Sequence, residues 1–332
     1  MRQYIVFAAA LFAVSSAAAQ SPGKPVIDMH LHAFPVEFAA GAPGCPGDQE
    51  VLVLPLDPQK EFDYSILGTC ADPFFASESD EALLEETLAA LDKYNVRHAV
   101  TSGALKDVSA WRAAAPEKII PALNFAGEPR KKAKEFRRLH EEDAFQVFAE
   151  ITAQYRGIPA DDPVWEPYYA LAEELDIPIG IHFGQGPPAA ARFPGYETYR
   201  VHLTSPMQLE EVLQKHPKLR VYVMHYASPL VDEMIAMLFT YPNLYVDISC
   251  NNWAFPRAQF HGELKRMIDA GMEKRILFGS DQMVWPQAIG EAIRAVEEAP
   301  FLSESQKRDI FYNNAARFLR LSDEQIAKDH AD

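Results

Sequence analysis

Between residues 97 and 298 the chain alternates short β-branched and aliphatic runs with amphipathic segments, and nothing else restricts its fold as strongly. The runs are Arg97–Ser102, Lys118–Asn124, Ala144–Ile151, Ile177–His182, Leu219–His225, Asn243–Ser249 and Arg275–Ser280. Helical patterns separate them or stand beside them: Asp80–Tyr94, Pro129–Glu142, Pro163–Leu175, Pro206–His216, Pro229–Tyr241, Pro256–Ala270 and Pro286–Glu298. Most of these open on proline, which suits the first helical position because its missing N–H has no partner there anyway. The stretch VIDMH at Val26–His30 adds a strand at the front and makes eight. Strands joined by helical crossovers lie parallel, and eight such units predict a (β/α)8 TIM barrel, an α/β fold. The open dinucleotide-binding alternative lacks its G-x-G-x-x-G turn after the first strand. Ser303–Leu321, with IFYNNAARFLRL, reads as a terminal helix packed on the barrel.

One segment departs from a minimal barrel. Ala33–Glu78, rich in Pro, Gly and Asp, forms a long loop insertion after strand 1. Its position puts it on the C-terminal face, where such loops build substrate sites. Decoration of the rim is the other reading of it.

The first 19 residues read as a signal peptide rather than as part of the fold. Arg2, an apolar run from Tyr4 to Val14 and small residues ending in Ala17-Ala18-Ala19 have the layout of a cleavable secretory segment. The run is too short to span a bilayer comfortably. Residues 20–332 then form one barrel domain, and the mature protein is expected to be secreted, in the periplasm, with no membrane attachment after cleavage. Removal of Arg2 takes the formal charge from −16 to −17. Such an acidic surface disfavours nucleic acid and anionic membranes, which leaves a small-molecule substrate as the expected partner. A homo-oligomer is left open. In an oxidising compartment Cys45 and Cys70, 25 residues apart, can pair across the insertion, with Cys250 the odd cysteine. No C-x-x-C is present, so a thiolate metal site is not indicated.

The chemistry is carried by residues at strand ends. Side chains alternate along a strand, so Asp28, His30 and His32 of VIDMHLH are expected on one side. The runs IPIGIH, LRVYVMH and RILFGSD end in His182, in His225 and at Asp281. In a closed barrel these C-terminal ends converge on one site. The other six histidines (His98, His140, His202, His216, His261 and His330) are read as surface or capping residues.

D-x-H-x-H on strand 1, His on strands 5 and 6, Asp after strand 8 and the terminal NNAARFLRL resemble the metal-dependent amidohydrolase superfamily. More narrowly, they resemble its amidohydrolase-related branch, which also contains aminocarboxymuconate semialdehyde decarboxylase. The resemblance covers residues 25–321 and implies that His30, His32, His182 and Asp281 bind metal. It implies that His225 binds a second metal or acts as an acid/base. Binuclear members carry a carboxylated Lys or a Glu on strand 4. Here AFQVFAEI supplies Glu150, which can bridge two ions, bind one, receive a proton, or simply hydrogen-bond to the ligands.

Neutral imidazoles and a carboxylate suit a divalent transition metal, Zn2+ foremost, as one or two ions. Such an ion lowers the pKa of a bound water towards ~7. The expected activity is hydrolase chemistry on an amide, ester or lactone bond of a small molecule, with Asp281 and His225 catalytic. Non-oxidative decarboxylation, a lyase reaction, is the alternative, and a barrel that only binds is a third reading. Asp28 is expected to orient a ligand. Arg192 and Arg200, in the loop after strand 5, and Trp285 after strand 8 are candidate substrate contacts, Arg for a carboxylate and Trp as an apolar wall. Trp253 and Tyr155 are further wall candidates.

Overall fold

A computed structural model describes residues 23–39, 41–48, 59, 69–125, 132–192 and 195–331. The expected signal segment lies outside them. The described strands are β1 (Val26–Ala33), β2 (Val96–Gly103), β3 (Ile119–Leu123), β4 (Val147–Ile151), β5 (Ile179–His182), β6 (Val221–Met224), β7 (Leu244–Asp247) and β8 (Ile276–Leu277). They pair in parallel in sequence order, β1 through β8. Met29 N–H donates to the carbonyl of Phe278 at 2.9 Å, just past β8, and this bond draws the two ends of the sheet together. The (β/α)8 barrel is therefore the observed fold.

The helices between strands are α1 (Asp80–Lys93), α2 (Leu105–Ala114), α3 (Ala133–Glu141), α4 (Glu166–Leu175), α5 (Glu210–Lys215), α6 (Val231–Thr240), α7 (Asn251–Ala254) and α8 (Arg257–Asp269). After β8 come α9 (Gln287–Glu297), α10 (Glu304–Arg308), α11 (Asn314–Leu319) and α12 (Asp323–Ala331). Helix α1 shows how the sequence sets a boundary. Ser79 caps it by accepting from the N–H of Ala82, and Asp80 and Glu81 sit where the N-terminal dipole favours acids. Leu83, Thr87 and Leu91, spaced at i+4, then turn one stripe to the barrel. Helix α2 was not predicted. It has no side-chain cap, and only Val108 and Trp111 are buried along it. The predicted terminal helix is split into α10, a π-turn at Asp309–Asn313 and α11, and α12 follows it.

Two apolar layers hold the barrel. Ile27, Met29, Val100, Ala122, Val147, Tyr222 and Leu277 fill the interior, and Tyr312 and Phe318 join them from the terminal segment. A larger layer packs strands on helices. Strict alternation along β1 does not hold. A register shift between Asp28 and Leu31 lets Ile27 and Met29 join the interior while Leu31 and Ala33 pack in the outer layer. An irregularity of this kind re-aims side chains, so Asp28 is not grouped with His30 and His32. No helix among the described residues is long and apolar enough to cross a membrane. Cys45 and Cys70 form a disulfide within the insertion, and Cys250 is free.

Candidate metal centre

All five histidine and aspartate positions read from the strand ends converge above the barrel, together with Glu150. His30 and His32 come from β1, Glu150 from β4 and His182 from β5. His225 follows β6, and Asp281 lies four residues beyond β8. Both His225 (φ 57°) and Asp281 (φ 49°) have left-handed backbones, which non-glycine residues adopt at some cost. Each is pinned. His225 N–H donates to the Asp247 carboxylate at 2.9 Å, and Asp281 N–H donates to the His30 carbonyl at 2.7 Å. Gly279 makes the approach possible, because a Cβ there would stand 2.9 Å from the Cβ of His30.

The rings present their Nε2 atoms to one another and to two carboxylates. His30 and His32 Nε2 are 3.1 Å apart. His32 Nε2 is 3.0 Å from Asp281 Oδ1, and His30 Nε2 is 3.8 Å from the same oxygen. Glu150 divides its oxygens: Oε2 lies 4.0 Å from His30 Nε2 and 3.7 Å from His32 Nε2, whereas Oε1 lies 3.7 Å from His182 Nε2 and 3.9 Å from His225 Nε2. Three overlapping sets lie within metal-chelating reach: His30, His225 and Asp281; His30, His32 and Glu150; and Glu150, His182 and His225.

Contacts behind the rings fix their orientation. Ser102 Oγ lies 2.8 Å from His32 Nδ1, and the Gln154 amide meets His182 Nδ1. The Ser249 carbonyl lies 3.0 Å from His225 Nδ1, and Asp247 Oδ2 lies 3.1 Å from His30 Nδ1. Strand-end reasoning missed Asp247, although it ends the apolar run LYVD by the same signal that marked His182. Ser102, Gln154 and Ser249 carry no comparable signal in sequence.

The electrostatics call for a cation. Burial pushes the Glu150 carboxyl up, but His225, His182, His30 and His32 around it hold it well below the usual carboxylate range. Asp281 is likewise held low by His30, His32 and His225 against its burial. Burial opposes a charge on His30, yet Asp281, Asp247 and Glu150 overcome it and push its pKa up to about 10. Burial and the neighbouring His225 push His182 down to about 3, leaving it a neutral donor. Imidazoles and ionised carboxylates, with Asp281 Oδ1 buried against His32 Nε2, are a donor set that fits a divalent transition metal.

Elsewhere the expectations divide. Asp28 touches no ring: its Oδ1 accepts from the N–H groups of His30 (3.0 Å) and Ser280 (2.9 Å), and burial pushes its pKa up to about 6. Trp285 is half-buried against Trp253, with ring centroids 5.9 Å apart. The Tyr155 hydroxyl stands 3.3 Å from His182 Nε2, and its ring stacks on Tyr196 and Tyr199. Arg192 and Arg200 are exposed, and the Arg200 guanidinium donates to the carbonyls of Glu197 and Tyr199 in its own loop. Two of the six histidines assigned to surface or capping roles are in fact buried. His98 pairs with Asp329 at 2.8 Å, and His216 bridges Glu173 and Glu166.

Solved structures with this architecture are numerous. An uncharacterised TIM-barrel protein from Bordetella bronchiseptica is 19% identical, with a TM-score of 0.59 over 89% of this chain and 98% of its own. A 2,6-dihydroxybenzoate decarboxylase from Rhizobium is 17% identical (TM-score 0.57), covering 91% of this chain and 99% of its own. A probable 2-pyrone-4,6-dicarboxylic acid hydrolase from Acinetobacter baumannii is 13% identical (TM-score 0.58), covering 89% and 99%. At such identities these are likenesses of fold. No curated protein matches the chain. The amidohydrolase family matches residues 27–321, nearly the whole barrel. The chain belongs to the amidohydrolase family, whose members are metal-dependent TIM-barrel enzymes.

Proposed function

We propose that this protein is a hydrolase acting on an amide, ester or lactone bond of a small molecule at a two-ion centre. The division of Glu150 carries the reading, because one oxygen faces His30 and His32 while the other faces His182 and His225. His30, His32 and Asp281 would hold one divalent ion, His182 and His225 a second, and Glu150 would lie between them. Zn2+ suits these donors best. Bound there, the metal supplies Lewis acidity for a carbonyl and an acidified water, and paired ions of this kind recur in hydrolytic enzymes.

The chain's own groups do the rest. Asp281, ionised, is the base that takes a proton from water and returns it to the leaving group. His225 is assigned to the second ion rather than to proton transfer, because its Nε2 shares Glu150 Oε1 with His182. Ser102, Gln154, Asp247 and Ser249 hold the rings from behind, so that little reorganisation accompanies reaction. Tyr155, stacked with Tyr196 and Tyr199, and Trp285 with Trp253 wall the mouth. Arg192, exposed in the loop after β5, is assigned to a substrate carboxylate, since Arg200 is tied into its own loop.

Decarboxylation by the same residues is the second reading, favoured by the likeness to the 2,6-dihydroxybenzoate decarboxylase. The deciding experiment incubates Zn2+- and Mn2+-loaded protein with a panel of amides, lactones, esters and aromatic carboxylates. Cleaved or ring-opened product supports hydrolysis, and released CO2 without bond hydrolysis overturns it.

A further inference from the structure

Asp247 lies fully buried at the end of β7, outside the chelating sets. Its Oδ1 accepts three donors: the N–H groups of His225 (2.9 Å) and Ser249 (3.0 Å), and the Ser249 hydroxyl (2.6 Å). Its Oδ2 stands 3.1 Å from His30 Nδ1. Ser249 Oγ, having given its proton to Asp247, lies 2.8 Å from His30 Nδ1 and 3.2 Å from His225 Nδ1. The Ser249 carbonyl, which can only accept, is 3.0 Å from His225 Nδ1. Every partner of the two Nδ1 atoms is thus an acceptor. The proton of each neutral ring is placed on Nδ1, and Nε2 is left with its lone pair facing Glu150.

We propose that Asp247 is a positioning residue that sets the tautomer of His30 and, through Ser249, that of His225, so that one carboxylate governs both halves of the metal centre. The inference rests on the metal-centre reading and goes beyond it, because Asp247 need not touch metal or substrate. Its consequence is sharpest for Asp247→Asn. The three donors at Oδ1 demand an oxygen, so the amide must keep its oxygen there and turn its NH2 towards His30 Nδ1. Nδ1 then becomes an acceptor, the ring proton moves to Nε2, and His30 loses the lone pair that would take the ion. In the serine-protease triad the same isosteric exchange beside a histidine costs about 10⁴-fold in rate by imposing the wrong tautomer.

The test uses the full chain, stripped with chelator and titrated with Co2+ by absorption and with Zn2+ by competition. Asp247→Asn should bind both ions ~10–100-fold more weakly, the range for losing an outer partner of a ligand histidine. Its Co2+ d–d bands should change, which a loss of stability alone would not bring about. Ser249→Ala should weaken binding less. Asp329→Asn, a buried aspartate far from the centre, should lower stability and leave Co2+ binding unchanged. Wild-type affinity and an unaltered spectrum in Asp247→Asn overturn the proposal; should that variant not fold, wild-type binding by Ser249→Ala does so. A wild-type chain that takes up neither ion overturns the metal-centre reading itself, which separates the two failures.

Discussion

The Nε2 atoms of His30 and His32 stand 3.1 Å apart, with Asp281 Oδ1 3.0 Å from the second of them. Two imidazole nitrogens at that separation need a proton or a shared cation between them. The carboxylates of Asp281, Asp247 and Glu150 favour positive charge at this point and push the His30 pKa up against its burial. A divalent ion fills the need, since several donors then share one charge. Replacing His32 with Ala should therefore remove the first ion. Activity should fall by more than the ~10–100-fold that loss of an outer partner brings. Elemental analysis and turnover on the same preparation check this, and full metal content in the variant contradicts it.

His182 belongs to the other half of the centre. It meets Glu150 Oε1 at 3.7 Å and packs on His225, with ring centroids 4.5 Å apart. His182→Ala should lower metal content by one ion and abolish activity while circular dichroism stays that of wild type. Unchanged metal content excludes His182 as a ligand.

The strand ends were legible because a barrel places the first strongly polar residue after an apolar run at its mouth; His182, His225 and Asp281 follow that rule, and the H-x-H of β1 meets them there. Asp247 follows it too, but its signal is masked because the run continues through Ile248 to Ser249. Ser102, Gln154 and Ser249 were not legible, since small polar residues after a strand are common and only tertiary contact gives them a task. The displacement of Asp28 from the histidines follows from the irregularity in β1, which no alternation pattern reveals. Helix α2 was missed because it lacks both a cap and a proline start.

Stability should depend on pH through Asp329 at the foot of the barrel. Burial pushes its carboxyl up, but the Tyr312 hydroxyl (2.6 Å), Gln325 and His98 hold it below its ordinary value of 3.8. A carboxyl lowered on folding contributes stability in full above its unfolded pKa of ~3.9. That contribution is lost as pH falls through the folded value. Asp329→Asn should therefore cost about 1.5–3 kcal/mol at pH 7, the range for hydrogen bonds to a charged group. The gap from wild type should shrink below pH ~4. Urea unfolding at pH 7 and pH 3 measures it, and a gap of equal size at both contradicts the assignment.

The Cys45–Cys70 disulfide closes a separation of 25 residues. In the chain-entropy account a loop of that length is worth about 3–4 kcal/mol. Replacing both cysteines with Ser should lower the thermal midpoint, and the insertion should become more sensitive to protease than the barrel. A midpoint equal to wild type shows that the bridge contributes nothing to stability.

Metal quantitation on purified wild-type protein beside Glu150→Gln tests the central claim most directly. The division of the Glu150 carboxylate between His30 with His32 and His182 with His225 requires about two divalent ions per wild-type chain and at most one in the variant. A folded, active wild-type chain that carries no metal contradicts it.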